Sequence, residues 1–248
     1  MFKIELAKLT VQLDNRYPLI QDRCQSYLAP DTVPPQITVP MQTDEYLHEI
    51  QQYAERVFGK HMTLEETEFD RLHYLIYPSL VQYQAFWLHA CVVELDGEGY
   101  AFSAPPGTGK TTHALQWLQT FPGKAEIING DNPIVRELNG QFYAFGTPFC
   151  GKEGYHQNRA VPLKGLGFLT RAEKNRLEPM DPAIAMMRLY WDNWTIPKND
   201  PEAVDCHLAL YGRFVEQVPV YRLYMNNFKP DAALVACAGM RCEKEKKS

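Results

Sequence analysis

The chain has 248 residues, of which 45% are hydrophobic and 22% charged, and a formal net charge of −5. That length can bury a full core as one large domain or two small ones, and the acidic balance provides no basic footprint for nucleic acid. No apolar run approaches the roughly 18 residues of a membrane helix, and residues 1–5 carry charge where a signal peptide would be apolar, so a cytoplasmic protein with no membrane partner is expected. The six cysteines form no C-x-x-C pair, which predicts reduced thiols and no zinc site.

In chain order, Phe2, Ile4 and Leu6 and then residues 10–13 alternate as strand faces do, with a turn at Asp14-Asn15. Leu19, Ile20, Cys24 and Leu28 fall at helical spacing before a proline-marked break at 30–35, and 36–39 reads as another strand. Two helices follow. One starts at Thr43 or Asp44 and stops at Gly59; the other opens with a capping box at 63–66. Residues 1–84 therefore read as a small N-terminal α/β lobe without catalytic signatures of its own.

From Trp87 the pattern changes. Residues 88–95 read as a strand, Asp96-Gly97-Glu98-Gly99 as a hairpin turn and 100–103 as the returning strand. That strand runs into Ala104-Pro105-Pro106-Gly107-Thr108-Gly109-Lys110-Thr111-Thr112, which fits the phosphate-loop pattern (A/G)-x-x-x-x-G-K-(S/T) and precedes a helical stretch. An all-parallel βαβ sheet has no tight hairpin into its loop strand, so the sheet is at least partly antiparallel. A strand at 125–128, the sequence Asn129-Gly130-Asp131-Asn132-Pro133 and a hairpin about Asn139-Gly140 come next. Residues 147–162 lack periodicity but contain Lys152, Glu153, His156 and Arg159, as a functional loop would. A strand at 163–171, helices from Asp181-Pro182 to about Trp194 and over 201–215, a strand at 218–225 and a helix over 231–240 complete a nucleotide-binding domain of residues 85–240. Residues 241–248 read as a charged, frayed tail.

The phosphate loop implies a nucleoside triphosphate. Gly107 and Gly109, with Pro106 and Thr108 between and before them, let backbone N–H groups face phosphate oxygens, and the helix starting near Lys110 points its positive end at the same anion. Lys110 would reach the β and γ phosphates, Thr112 would donate to the α phosphate, and Thr111 would hold Mg²⁺ through its hydroxyl. Asp131 lies 21 residues after Lys110 at the end of the next short strand, where a carboxylate could face the γ-phosphate and its metal. Glu153 is a further candidate metal ligand.

The order of histidine strand, hairpin, phosphate loop, helix and strand ending in aspartate, over about residues 85–225, resembles the HPr kinase/phosphorylase catalytic domain and its relative phosphoenolpyruvate carboxykinase. The resemblance implies an α/β fold with a mixed, curved sheet. It also implies ATP-dependent phosphorylation of a hydroxyl, with Asp131 as base, His89 supporting it, and Lys152 and Arg159 closing over the phosphates from a mobile loop. The family often carries Gly-Asp-Ser-Gly ahead of the lysine and two adjacent aspartates. Here Pro105-Pro106-Gly107-Thr108 and a single Asp131 stand instead, and the N-terminal lobe does not match, which points to a separate branch acting on a different peptide, a protein or a small hydroxylated molecule.

Each residue has a plainer alternative. Asp131 could shape a turn, His89 and His113 could be packing histidines, and Lys152 and Arg159 could be solvated charges. Met180, Met186 and Met187 with Trp191 and Trp194 read as core. Besides a kinase, the same loop could serve a nucleotide-dependent binding module with slow hydrolysis; a carboxykinase-type decarboxylation lacks the cluster of metal-binding residues it would need. Whether the protein is a homo-oligomer is left open.

Overall fold

The structure, a computed structural model, describes residues 1–193, 195–226 and 229–242, so Trp194 and tail residues 243–248 lie outside the described residues. Contacts divide the chain into two units, residues 1–80 and 81–248. In the first, β1 (Phe2–Leu6) and β2 (Leu9–Leu13) pair antiparallel through a two-residue turn in which Ala7 and Lys8 both take positive φ, as tight hairpins require. A short helix α1 (Leu19–Arg23) leads to β3 (Ile37–Val39), which lies parallel to β2. Helix α2 (Asp44–Phe58) is capped by Thr43 and stopped by Gly59 in the left-handed region, and α3 (Leu64–Ile76) carries the Thr63/Glu66 capping box. From α3 the buried carboxylate of Glu68 accepts the backbone N–H groups of Arg16 and Tyr17 at 2.7 and 2.9 Å, tying down the approach to α1.

The second unit is built on a curled, mixed sheet. Its elements are β4 (Ala85–Trp87), β5 (Ala90–Leu95), β6 (Glu98–Ser103), α4 (Lys110–Thr120), β7 (Ala125–Asn129), β8 (Ile134–Leu138), β9 (Gln141–Phe145), β10 (Ala160–Arg171), β11 (Arg176–Pro179), α5 (Pro182–Asp192), α6 (Pro201–Gln217), β12 (Val220–Met225) and α7 (Ala232–Cys242). The strand order is β4-β8-β9-β10-β6-β5-β7, with β12 beside the second half of β10 and β11 outside β12. The expected hairpins are present: Asp96-Gly97 reverses β5 into β6, and Asn139-Gly140 reverses β8 into β9, all four residues with positive φ. Parallel pairing enters through β10, which runs with both β6 and β12.

Alternation along the strands buries both faces. Val92, Ala101, Leu166 and Phe168 pack with Leu189, Tyr211 and Phe214 of α5 and α6, while Cys91, Val93, Tyr100 and Phe102 pack with Trp117 of α4 and Met240 of α7. Each such large side chain removed from water contributes about 1.5–3 kcal/mol.

Several expectations are corrected. The strand expected over 88–95 is broken at Leu88-His89, because Leu88 and Ala90 send their N–H groups to Pro133 and Asp131 rather than along one ladder. Strand β11, short and largely polar, carried no readable alternation. Met187 and Trp191 are exposed rather than core, since α5 turns Ala185 and Leu189 inward instead. Arg241 is not frayed: it lies in the last turn of α7 and donates to the Tyr100 hydroxyl and to Asp96, each at 3.0 Å.

The segment after β9 is stitched to its surroundings at both ends. Gly146 N–H donates to Arg159 O, Gln157 N–H to Ile128 O and Gly130 N–H to Tyr155 O. A side chain has no room at Gly146, where a Cβ would stand 1.9 Å from Gln157 O and 2.8 Å from Ile128 O, both fixed backbone atoms. Gly146→Ala should therefore destabilise the second unit by about 2 kcal/mol or more, read as a lowered urea midpoint. A midpoint equal to that of the wild type would show that this stitching is not rigid.

Candidate functional site

Strands β6 and β10 run parallel with Phe168 opposite Ser103, so both deliver their C-terminal ends to one edge of the sheet. There β6 passes directly into the loop 104–109, which closes with a Thr108 N–H to Pro105 O bond of 3.2 Å. Gly107 (φ 75°) and Gly109 (φ 114°) adopt backbone conformations that side-chain-bearing residues avoid. Helices α2, α3, α5 and α6 each begin with a side chain accepting a first-turn N–H, whereas α4 begins on Gly109 with no side-chain cap. A helix start offered on a glycine turn, with no side chain in the way, is a cradle for an anion. Pro106 and Thr112 are exposed and Thr108 and Thr111 partly exposed around it.

Sequence reasoning missed Arg171. The register carries β10 three residues past the Phe168–Ser103 pair, and the Arg171 guanidinium there donates to Thr108 O at 3.2 Å and also to Gly107 O. Its only signal in the sequence was a basic residue ending a strand, which means little until the register is known.

At the base of the loop, Lys110 turns inward and is 9% exposed. Its Nζ lies 2.7 Å from His89 Nε2, 3.4 Å from Asp131 Oδ1 and 3.3 Å from Ala104 O, and His89 Nε2 lies 3.1 Å from Asp131 Oδ1. A lysine ammonium only donates, so the close His89 contact requires Nε2 to accept; donation from Nε2 to Asp131 requires it to carry a proton instead. One nitrogen cannot do both. With Lys110 in this position, the ammonium bridges the histidine and the carboxylate.

The backbone and the surrounding amides fix this geometry. Asn129, fully buried, accepts the N–H groups of Asp131 and Asn132 on Oδ1 at 2.9 and 2.7 Å and donates through Nδ2 to Thr147 O at 2.9 Å. Asn129 thus shapes the turn, and the Asp131 carboxylate is left for other partners. Its second oxygen accepts from Asn132 Nδ2 at 3.0 Å, and Asn132 Oδ1 in turn accepts from Trp87 Nε1 at 2.8 Å. The Trp87 ring stacks over His89 with centroids 6.0 Å apart. Burial alone would raise the Asp131 carboxyl, but the imidazole of His89 and the ammonium of Lys110 beside it hold it below its ordinary value.

The remaining expected residues divide. Glu153 and Lys152 sit on an exposed loop tip, 151–154, that folds back toward the site: a Cβ at Gly151 would lie 3.3 Å from Asp131 Cβ and 3.5 Å from Glu153 Oε2. The preceding residues Thr147, Phe149 and Cys150 are buried, whereas the tip is exposed. Arg159 is not brought here. It is held by Glu94 and by Glu126, the latter at 2.7 Å, and Glu94 stands five residues along from His89, about 17 Å at strand rise. His113 is fully buried and accepts from Trp117 Nε1 at 3.2 Å.

For a divalent cation, the donor set at the loop is oxygen only: the Thr111 hydroxyl and the carboxylates of Asp131 and Glu153. That chemistry suits Mg²⁺, which keeps most of its waters and takes one or two protein oxygens beside phosphates. Among the described residues no group of three or more His, Cys, Asp or Glu stands together that could hold a metal ion.

Against known proteins, the family described as SynChlorMet cassette protein ScmC matches residues 59–228. No curated protein matches the sequence. Among solved structures the chain is similar to the Hpr(Ser) kinase/phosphatase from Coxiella burnetii, with 64% of this chain and 93% of that chain covered at 11% identity and a TM-score of 0.41. No helix among the described residues is long and apolar enough to cross a membrane.

The depressed Asp131 carboxyl has a consequence for stability. A group whose folded value lies below its unfolded one contributes stability that is present above the unfolded value, here 3.8, and lost as pH falls through the folded value. The stability difference between wild type and Asp131→Asn, read from urea midpoints, should therefore shrink as pH is lowered past 3.8. A difference that stays constant through that range would contradict the assigned interactions.

Proposed function

We propose that this chain, which belongs to the SynChlorMet cassette protein ScmC family, is an ATP-dependent kinase transferring the γ-phosphate to a hydroxyl group. The observation that carries this reading is the Asp131 carboxylate, set within hydrogen-bonding reach of His89 and beside the lysine of the phosphate loop. Phosphoryl transfer asks little covalent chemistry of a protein. Positioning, charge neutralisation and one base suffice.

In this reading the triphosphate lies along the loop's N–H groups, with Thr112 donating to the α phosphate. Lys110 leaves His89 and Asp131 for the β and γ phosphates. Mg²⁺, held by the Thr111 hydroxyl with Asp131 or Glu153 oxygen available, would neutralise charge on the phosphates. Once Lys110 has moved, His89 Nε2 is able to donate to Asp131 and hold the carboxylate toward the acceptor. Asp131 takes the acceptor's proton as the new O–P bond forms and the bond to the β–γ bridging oxygen breaks, leaving ADP. Arg171 supplies the guanidinium beside the loop, and Lys152, on its exposed tip, would close over the phosphates; Arg159 is committed to Glu94 and Glu126.

Transfer of label from γ-labelled ATP, or its release to water where no acceptor is supplied, tests this. Asp131→Asn should retain MgATP binding while the rate falls on the order of 10²–10⁴-fold, because an amide keeps the shape but has no useful basicity. Lys110→Ala should lose most nucleotide affinity and turnover together. Wild-type rates in Asp131→Asn with MgATP bound would leave a nucleotide-dependent binding module as the better description.

A further inference from the structure

Helix α5 presents an apolar face that no part of the described fold covers. Ala185 and Leu189 face the core, while Ile184, Met187 and Trp191 are 55%, 44% and 62% exposed. Their spacing of three and then four residues puts them on one side, along about 10 Å of helix axis. Among the described residues of 81–242, only Leu234 is a comparably exposed large apolar side chain, so three of four gather on this face. Exposed apolar side chains scattered singly need no explanation, but a contiguous set marks a binding surface.

The end of this helix borders the site. Leu189, Asp192 and Asn193 line a cavity together with Trp87, His89 and Ser103. That boundary is firm, since Asn193 donates to the Tyr211 hydroxyl at 2.7 Å and accepts from Thr195 N–H at 2.9 Å. The cavity holds only about 10 Å³, room for a single water-sized group, and the exposed α5 face beside it offers an acceptor far more surface. At the same end, Lys198 Nζ lies 5.0 Å over the Trp191 ring and 5.3 Å over Tyr190, with no carboxylate partner among the described residues, whereas Arg188 and Asp192 neutralise each other at 2.6 Å.

We propose that the outer face of α5 docks the acceptor, and that the acceptor is a peptide. It would lay apolar side chains on Ile184, Met187 and Trp191, set an acidic group against Lys198 and extend its hydroxyl residue toward His89 and Asp131. This rests on the kinase reading for the last step alone; docking itself needs no phosphoryl transfer.

The test uses the labelled full-length protein with MgADP and an immobilised positional-scanning library of twelve-residue peptides with a fixed central serine. Binding should select large apolar residues at two or more positions on one side of the serine, and Asp or Glu at another. Met187→Asp should weaken binding to the selected peptides about tenfold or more, and Lys198→Glu should exchange the acidic preference for Lys or Arg. Absence of selection, or selection unchanged in both variants, overturns the proposal, as does sedimentation of the wild type as a dimer that Met187→Asp dissociates, since the face would then belong to a second copy. Transfer of γ-label to the selected serine is followed separately. Docking that depends on α5 without any transfer would remove the kinase reading and leave the docking surface standing.

Discussion

The ammonium of Lys110 cannot serve a bound triphosphate and bridge His89 and Asp131 at the same time, and the arrangement around it follows from that competition. At 2.7 Å from His89 Nε2 and 3.4 Å from Asp131 Oδ1, it satisfies a carboxylate that burial would otherwise penalise. Drawing it toward phosphates leaves the carboxylate with His89 and the Asn132 amide. In the kinase reading, nucleotide binding and the readiness of the base would thereby be linked through one side chain, in the sense that each state of Lys110 fixes which proton donors Asp131 has.

The three residues reach one another because of backbone features some distance away. The hairpin at Asp96-Gly97 brings the start of β5 beside the end of β6, and so sets His89 next to the loop. The Asn129 side chain holds the turn after β7, and the Ala90 N–H grips Asp131 O at 2.9 Å. Trp87 then orients Asn132, which orients the carboxylate. Turn, amide and indole each remove a degree of freedom from Asp131, preorganisation on which its proposed role as base would draw.

Much of this was legible in the residues. The glycine turn at 107–109, both hairpins and the caps of α2 and α3 follow from short-range chemistry: positive φ at Gly or Asn, a capping box, a glycine-lysine turn before a helix. What was not legible depended on long-range register. Arg159 and Arg171 stand at opposite ends of β10; register places one among Glu94 and Glu126 and the other against Gly107 and Thr108, and nothing local distinguishes them. Likewise, the Met and Trp residues of α5 have the composition of core, but which helical face turns inward is decided by α6 and the sheet. A turn at 129–132, the plainer alternative for Asp131, is present, yet its shaping residue is Asn129, whose buried side chain accepts two successive N–H groups.

The competition for Lys110 is open to direct observation at the His89 ring nitrogens by ¹⁵N NMR, with and without a non-hydrolysable magnesium nucleotide, assigned by comparison with His89→Gln. The account predicts that, without nucleotide, His89 Nε2 has the shift of an acceptor nitrogen and Nδ1 carries the proton, and that nucleotide moves the proton to Nε2 as Lys110 departs and the imidazole turns its donor to Asp131. A ring whose tautomer is the same in both states, with nucleotide demonstrably bound, would contradict it.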